Sequence, residues 1–284
     1  MAQIVGAFST PHNPFLPTRV PQEPDGVDAH GFETVATALR ASKPDVIVSF
    51  SPDHLATFFY DNLPQIAIGI VPSFDGPLDP PPNVAGRTVS SDPKLATHLF
   101  RSALDAGFDP ARSNKLDVDH SLIVQLQLLG LTGADAIPVV PIILNVLAPP
   151  IVPTQRACLF GAAIGAAIRA YDSPQRVALI ANGGINQEVG GPKVREGGLD
   201  GAPDAEWFAQ ATAGLRAGAI DTLRAAATTE RLMQAGNAAG EMLTVLAMLH
   251  ALGMVPPARE LIPEPVIGHC YGIWIPDDAA TTPI

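Results

Sequence analysis

The sequence is poor in cysteine and contains no long uninterrupted apolar run. Its two cysteines, Cys158 and Cys270, lie far apart and form no CxxC pair. This argues against a disulfide framework and a cysteine zinc site, and it fits a reducing compartment. The most apolar stretch, 137–152, is interrupted by four prolines and is shorter than the roughly 20 residues of a membrane-spanning helix. We therefore expect no membrane-spanning segment.

Basic residues are also scarce, since 17 lysines and arginines stand against 28 aspartates and glutamates, for a net charge of -11. Because phosphate binding needs a basic surface, this charge argues against nucleic acid as a partner. The first residues show no basic segment followed by an apolar one, so we expect no secretory signal and a cytoplasmic location. Hydrophobic residues make up 47% of the 284-residue chain, which is enough for a sizeable core.

Strand and helix signals alternate along the chain. Strands separated by helices of this length are typical of an α/β fold with a largely parallel central sheet flanked by helices. No linker or internal repeat divides the sequence, so we expect a single domain over residues 1–284. The strands are predicted at 3–8, 46–50, 66–71, 139–146, 176–181 and 266–275, and the main helices at 31–42, 92–106, 120–129 and 153–171.

Histidines follow the first two predicted strands, at His12 and His54. Because ligands bind at the carboxyl ends of strands in open α/β sheets, these two side chains are expected to share one crevice. A carboxylate would complete a 2-His-1-carboxylate set, which leaves positions open on Fe(II). Glu241, which opens an apolar helix among small residues, is the best candidate, since a buried carboxylate needs a partner. From spacing alone, Glu241 is also compatible with an exposed first-turn residue, and both histidines with plain loop residues.

A third histidine, His120, follows Asp119 at a predicted helix start, where a carboxylate can orient an imidazole. It is either a residue of the helix cap or a residue of the site. Metal-bound histidines usually donate their second N–H to an oxygen. We therefore expect Asp53 to orient His54 and Asp119 to orient His120.

Three further residues are candidates for contact with an aromatic ligand. Phe59 and Tyr60 follow His54 closely, and they either face a substrate or belong to the core. Asn145 ends an apolar strand, and it either supports a ligand or caps a turn.

Several short blocks occur in a fixed order along nearly the whole chain. They are Thr10-Pro11-His12, Ser51-Pro52-Asp53-His54 with Phe58-Phe59-Tyr60, Val118-Asp119-His120, Pro141-Ile142-Ile143-Leu144-Asn145, Gly183-Gly184 with Gly190-Gly191-Pro192, and Gly240-Glu241. Taken together, these blocks resemble the class III extradiol dioxygenases, the superfamily of the protocatechuate 4,5-dioxygenase catalytic subunit. The resemblance implies that His12, His54 and Glu241 hold Fe(II), and that His120 is an acid or hydrogen-bond donor in the active site.

One position departs from the family pattern. There the Gly-Gly turn is typically followed by Leu-Ser-His, whose histidine is the acid–base residue, but here Ile185-Asn186-Gln187 follows. Glutamine donates and accepts hydrogen bonds but takes up no proton near neutral pH. Either His120 carries both proton roles while Asn186 and Gln187 position substrate or oxygen, or the substrate needs less help from a base. A third outcome is metal binding without ring cleavage.

The implied activity is ring opening of a catechol-like, aminophenol-like or hydroxypyridine-like aromatic with O2. The resemblance also implies a homo-oligomer, with a small accessory subunit in some relatives. Two alternatives are a non-catalytic or atypical subunit of such a dioxygenase, and a metal-dependent hydrolase or lyase on the same scaffold. No Gly-x-Ser-x-Gly, P-loop or Gly-x-Gly-x-x-Gly motif supports a serine hydrolase, a nucleotidase or a dinucleotide enzyme.

Overall fold

The computed structural model of the chain describes residues 1–133, 136–194 and 200–276, which form one α/β domain. The last eight residues of the predicted domain 1–284 lie outside the described residues. The strands are β1 (Gln3–Thr10), β2 (Val46–Ser51), β3 (Ile66–Gly69), β4 (Ser73–Gly76), β5 (Arg87–Ser90), β6 (Ala111–Ser113), β7 (Val139–Leu144), β8 (Arg176–Asn182), β9 (Glu188–Val189), β10 (Asp200–Gly201), β11 (Glu260–Glu264) and β12 (His269–Trp274). The helices are α1 (Leu16–Gln22), α2 (Val27–Ala41), α3 (Pro93–Asp105), α4 (His120–Leu128), α5 (Thr154–Ala170), α6 (Ala205–Ala217), α7 (Ile220–Ala226), α8 (Thr229–Ala235) and α9 (Met242–Leu252), with a 3-10 turn at Ala239–Glu241.

Eight strands form the central sheet, in the order β11-β12-β1-β8-β2-β7-β3-β6. The four inner strands β1, β8, β2 and β7 are parallel to one another. They read as near-continuous apolar runs because both of their faces are covered, as is usual for parallel sheets. The predicted α/β fold with a largely parallel sheet is therefore confirmed.

Helices cover the sheet on both faces. One layer includes α3, α5 and α9, and the other includes α2 and α4. Helices α5 and α9 approach each other closely because Gly161 and Gly165 present no side chain, and a Cβ at either position would clash with the backbone of α9. Among the described residues, no helix is both long and apolar enough to cross a membrane.

The sequence-based boundaries differ from the structure in the segment after Pro72 and near the C-terminal strands. The Pro-, Asp- and Gly-rich segment after Pro72 is typical of a loop, yet it holds β4, which pairs with β5 in a separate two-stranded sheet. The predicted strand 266–275 begins later, at His269, because residues 265–268 form the turn between β11 and β12. Buried and exposed residues alternate in β4, so its apolar pattern is weaker than that of the inner strands.

The carboxyl ends of the inner strands meet along one edge of the sheet. Thr10 at the end of β1 is in register with Asn182 at the end of β8, and Ser51 at the end of β2 is in register with Ile143 of β7. Chain segments that follow these strands therefore emerge side by side. His12, His54 and the Gly183–Gly184 turn are all carried to this edge.

Candidate active site

Three predicted ligand atoms meet in a nearly equilateral triangle. His12 Nε2 lies 3.4 Å from His54 Nε2, and Glu241 Oε1 lies 3.4 Å from each of these nitrogens. The centre of such a triangle is about 2.0 Å from each corner, which is an ordinary bond length from an imidazole nitrogen or carboxylate oxygen to a divalent first-row metal ion. The donor set and its spacing therefore fit a 2-His-1-carboxylate metal centre.

Glu241 reaches this triangle through two glycines that follow β8. A Cβ on Gly183 would lie 2.8 Å from Glu241 Cβ, so the close approach requires glycine there. The N–H of Gly184 donates to Glu241 Oε2 at 2.8 Å, which leaves Oε1 directed at the histidines. The side chain is 2% exposed, so the exposed first-turn position that the sequence left open does not occur.

Electrostatics keep the carboxylate of the triangle ionised. Burial by itself would raise the pKa of Glu241, but the neighbouring His12 and His54 outweigh it and hold that pKa well below its usual value. Burial lowers the pKa of His12, so its ring favours the neutral form in which Nε2 can offer a lone pair. Burial would lower the pKa of His54 too, but Asp119 and Glu241 outweigh it and raise that pKa to about 10. A divalent cation bound at Nε2 would take the place of the second ring proton of His54 and would neutralise the buried anion.

His54 is oriented by Asp119, and this corrects the sequence-based expectation. Asp119 Oδ2 accepts from the His54 backbone N–H at 2.8 Å and lies 2.6 Å from its Nδ1. Asp53 instead accepts from the backbone N–H groups of Thr57 and Phe58, both at 2.9 Å. Adjacency in sequence was misleading, because the Asp53 side chain folds forward over its own turn while α4 brings Asp119 to the imidazole.

His120 is held by Asp79, which the sequence did not single out. Asp79 Oδ1 accepts from the His120 backbone N–H at 2.7 Å, and its Oδ2 lies 2.6 Å from His120 Nδ1. The His120 ring packs against the triangle, with its centroid 4.5 Å from that of His54 and 5.8 Å from that of His12. Asp79 lies 41 residues before its partner, inside a proline-rich segment without periodic pattern. No local signal could have identified it.

A cavity of about 380 Å³ opens over the triangle. Gln187 lies in its wall, is buried, and packs its amide against Gly184, where a Cβ would collide with it. Most of the remaining wall is apolar, which suits the flat faces of a small aromatic ring. The lining residues are His12, Asn13, Pro14, Phe15, His54, His120, Leu147, Gln187, Val189, Asn237, Ala238 and Glu241.

Asn13, Phe15 and Asn237 are among the lining residues that the sequence analysis did not predict. The turn Thr10-Pro11-His12-Asn13-Pro14 gave a signal for the first two, since the residues directly after His12 are carried to the same edge. Asn237 pairs its side-chain amide with the backbone of Val189, at 2.9 Å and 2.8 Å. This pairing fixes the β9 wall of the cavity to the turn that precedes Glu241.

Two pairs of predicted site residues lie elsewhere. Phe59 and Tyr60 are 58% and 65% exposed and contact each other, because Asp53 turns their loop outward. Neither lines the cavity or belongs to the core. Asn145 closes its own turn through bonds with Ala148, as the alternative interpretation had it. Asn186 points away from the cavity and donates to the carbonyl of Asp204 at 2.7 Å.

Comparisons with known proteins identify the family of the chain. Relatives include a 2,3-dihydroxyphenylpropionate/2,3-dihydroxicinnamic acid 1,2-dioxygenase of Rhodococcus sp, which is 33% identical over 199 residues that cover 67% of this chain and 61% of that protein. A protein of the same name from Paraburkholderia xenovorans is 40% identical over 163 residues, covering 57% of this chain and 47% of that protein. The matched part of the chain thus spans about half to three fifths of the length of these relatives.

An uncharacterized Escherichia coli K12 protein of known structure shares the fold, with a TM-score of 0.55 at 14% identity over 96% of this chain and 100% of that one. The family model for the catalytic LigB subunit of aromatic ring-opening dioxygenase matches residues 6–267. This match covers most of the chain and confirms the resemblance inferred from the ordered sequence blocks. The chain therefore belongs to the family of the catalytic LigB subunit of aromatic ring-opening dioxygenase.

Proposed function

We propose that this chain is a non-heme Fe(II)-dependent extradiol dioxygenase that opens the ring of a small aromatic with O2. The observation that carries the proposal is the 3.4 Å triangle of His12, His54 and Glu241 at the base of the cavity. Family membership supports the same reaction class. When bound, Fe(II) supplies the Lewis acidity that lowers the pKa of a substrate hydroxyl and the redox chemistry for dioxygen.

The substrate is a single ring with short substituents. A cavity of about 380 Å³ lies near the lower end of the range for small-molecule sites, roughly 300–1,000 Å³. Phe15, Leu147 and Val189 contribute apolar surface to its wall, and they exclude water from one side of the bound ring. A catechol, an aminophenol or a hydroxypyridine fits this description.

Proton movement falls on His120. Apart from the three proposed ligands, it is the titratable side chain among the described residues that line the cavity. Because Nδ1 of His120 faces Asp79, Nε2 is the nitrogen that takes a proton from the substrate and returns it to the ring-opened product. General acid–base help of this kind is worth about 10²–10⁴-fold in rate.

Gln187 binds and orients the substrate without exchanging protons. Its amide is held in the cavity wall beside Gly184, and an amide keeps its hydrogens at neutral pH. A substrate that needs the help of only one base therefore suits this site. Such substrates include rings that are more acidic than catechol and those that bind already deprotonated.

A metal-dependent hydrolase or lyase is the second candidate, and one observation favours it. His12, His54 and His120 each place a ligand atom within 4.8 Å of the others, and three histidines with an open position are typical of a catalytic zinc site.

The homo-oligomer and the small accessory subunit stay predictions from the family resemblance.

Anaerobic loading with Fe(II), followed by oxygen-uptake measurements on catechols, aminophenols and hydroxypyridines, tests the proposed function. With at least one ring class, we expect one O2 to be consumed for each substrate molecule and a ring-opened product that absorbs visible or near-ultraviolet light. Turnover without oxygen uptake would favour the hydrolase or lyase, and iron binding without oxygen consumption on any ring would contradict the dioxygenase. Glu241→Gln serves as the control, since it keeps the side-chain shape but removes the anionic oxygen, and it should lose iron.

Asp119→Asn is expected to weaken metal binding about 10–100-fold, because the amide no longer fixes the His54 tautomer that leaves Nε2 unprotonated. Equilibrium titration with Fe(II) or Zn²⁺ under anaerobic conditions measures the change. Asp53→Asn is the matched control, since its carboxylate bonds only to the loop that follows His54 among the described residues. Equal metal affinity in Asp119→Asn and wild type would disprove the positioning role of Asp119.

Gln187→His is expected to widen the substrate range toward ordinary, less acidic catechols, because it restores a second proton carrier to the cavity wall. The gain should appear in kcat/KM for unsubstituted catechols. It should reach at most about 10²–10⁴-fold, which is the contribution of one acid–base group. The measurement is steady-state oxygen uptake across a series of catechols graded by pKa. An unchanged dependence on substrate pKa would mean that residue 187 has no part in proton transfer.

A further inference from the structure

We propose that Asp79 is a positioning residue that fixes the tautomer of His120, so that Nε2 is held unprotonated beside the substrate. The proposal rests on the proposed function for the proton role of His120, but the tautomer itself is a property of the protein that can be measured separately. It assigns a role to a residue that lies outside every sequence block of the family resemblance.

The geometry is a two-point clamp by one carboxylate. Oδ1 and Oδ2 of Asp79 engage the backbone N–H and the Nδ1 of the same histidine, at 2.7 Å and 2.6 Å. Because both ends of the carboxylate are used, neither the ring nor the carboxylate can rotate without breaking a bond. The His120 side chain is 10% exposed and that of Asp79 is 36% exposed, so the imidazole is shielded from water while part of the carboxylate faces solvent.

The backbone explains why Asp79 arrives at this place. Val118 donates its N–H to the carbonyl of Asp75 at 2.8 Å, and Leu78 donates its N–H to the carbonyl of Val118 at 2.9 Å. These two bonds join the end of β4 to the segment that leads into α4. They place the residue after Leu78 beside the first turn of α4, which begins with His120. The clamp is therefore anchored by main-chain pairing rather than by a free loop.

The chemistry of the clamp selects one tautomer. A carboxylate offers only acceptors, so the nitrogen that faces it must carry the hydrogen. A neutral imidazole has one N–H, which then lies on Nδ1 and leaves the lone pair on Nε2. Asp119 faces Nδ1 of His54 in a similar way, with both contacts made to one oxygen. The two aspartates thus each place a ring hydrogen on the Nδ1 of one of two adjacent histidines.

The identity of Gln187 makes this tautomer decisive. Gln187 cannot replace His120 as a proton carrier. If the hydrogen of His120 lay on Nε2, no other described residue of the cavity besides the proposed ligands could accept the proton. Histidine with its hydrogen on Nε2 would present a donor where an acceptor is needed. We therefore expect turnover to depend on Asp79 although Asp79 is absent from the residues that line the cavity.

Two substitutions separate positioning from simple structural support. Asp79→Asn keeps the shape but offers an N–H₂ group to Nδ1, which draws the ring hydrogen to Nε2. Asp79→Ala removes the acceptor and lets both tautomers exist. We expect kcat to fall about 10²–10⁴-fold in Asp79→Asn, as at other aspartate–histidine pairs forced into the wrong tautomer, and to fall less in Asp79→Ala.

The direct readout is ¹⁵N NMR of the histidine rings in the full chain loaded with diamagnetic Zn²⁺, with the His120 signals assigned by comparison with His120→Gln. Wild type should show Nδ1 protonated and Nε2 unprotonated, and Asp79→Asn should show the reverse. Zn²⁺ affinity and KM should stay within about twofold of wild type, because the change acts on the proton step and not on binding. Asp117→Asn, at a partly exposed aspartate whose ion pair with Lys115 is a 4.0 Å contact, is the matched control and should behave as wild type.

Three results would overturn the proposal: unchanged tautomers in Asp79→Asn, a larger loss of kcat in Asp79→Ala than in Asp79→Asn, or loss of Zn²⁺ affinity in proportion to kcat. The second and third are expected from a purely structural role, since asparagine is the closer mimic of aspartate in shape. If wild type consumes no oxygen with any ring, the proposed function fails, while the NMR comparison still decides whether Asp79 sets the tautomer.

Discussion

Glu241 carries a negative charge where it has almost no contact with water, and its described partners are two imidazoles and one backbone N–H. An ionised carboxylate in such a place is costly unless it is paired. Two features of the fold serve this pairing: the glycines after β8 that let the side chain approach, and the 3-10 turn before α9 that carries Glu241. The cavity, the histidines and the proposed chemistry all depend on where this one charge is held.

Near this charge, two aspartates each contact a different histidine. Asp119 caps α4 through Ser121 with one oxygen and holds His54 with the other, so the start of a helix and the orientation of a proposed ligand are set by the same side chain. Asp79 clamps the residue that follows Asp119. Two imidazoles 4.5 Å apart thereby receive separate anchors, which suits the separate roles that we propose for them.

The sequence predicted the fold class and the meeting of His12 with His54 because both depend on a strong, regular signal: buried parallel strands are apolar, and the residues after them lie at one edge. It also singled out Glu241, although only the structure separates a buried carboxylate from an exposed one. Asp79 could not be predicted, because its contact spans 41 residues and arises from backbone pairing of an irregular segment. Asp53 was paired with His54, and Asp119 with His120, because each pair is adjacent in sequence, but adjacency does not determine the direction in which a turn folds. Phe59 and Tyr60 lie outside the cavity, which adjacency to His54 likewise does not reveal.

X-ray absorption spectroscopy of the Fe(II)-loaded, oxygen-free protein tests the central claim most directly, because it counts the imidazole and carboxylate ligands on the metal. A centre built on the His12–His54–Glu241 triangle should show two imidazole ligands and a carboxylate oxygen, with a spectrum that is unchanged in His120→Gln and altered in Glu241→Gln. Three imidazoles without a carboxylate, or the loss of one imidazole in His120→Gln, would contradict the triangle and make His120 a ligand instead of the proton carrier.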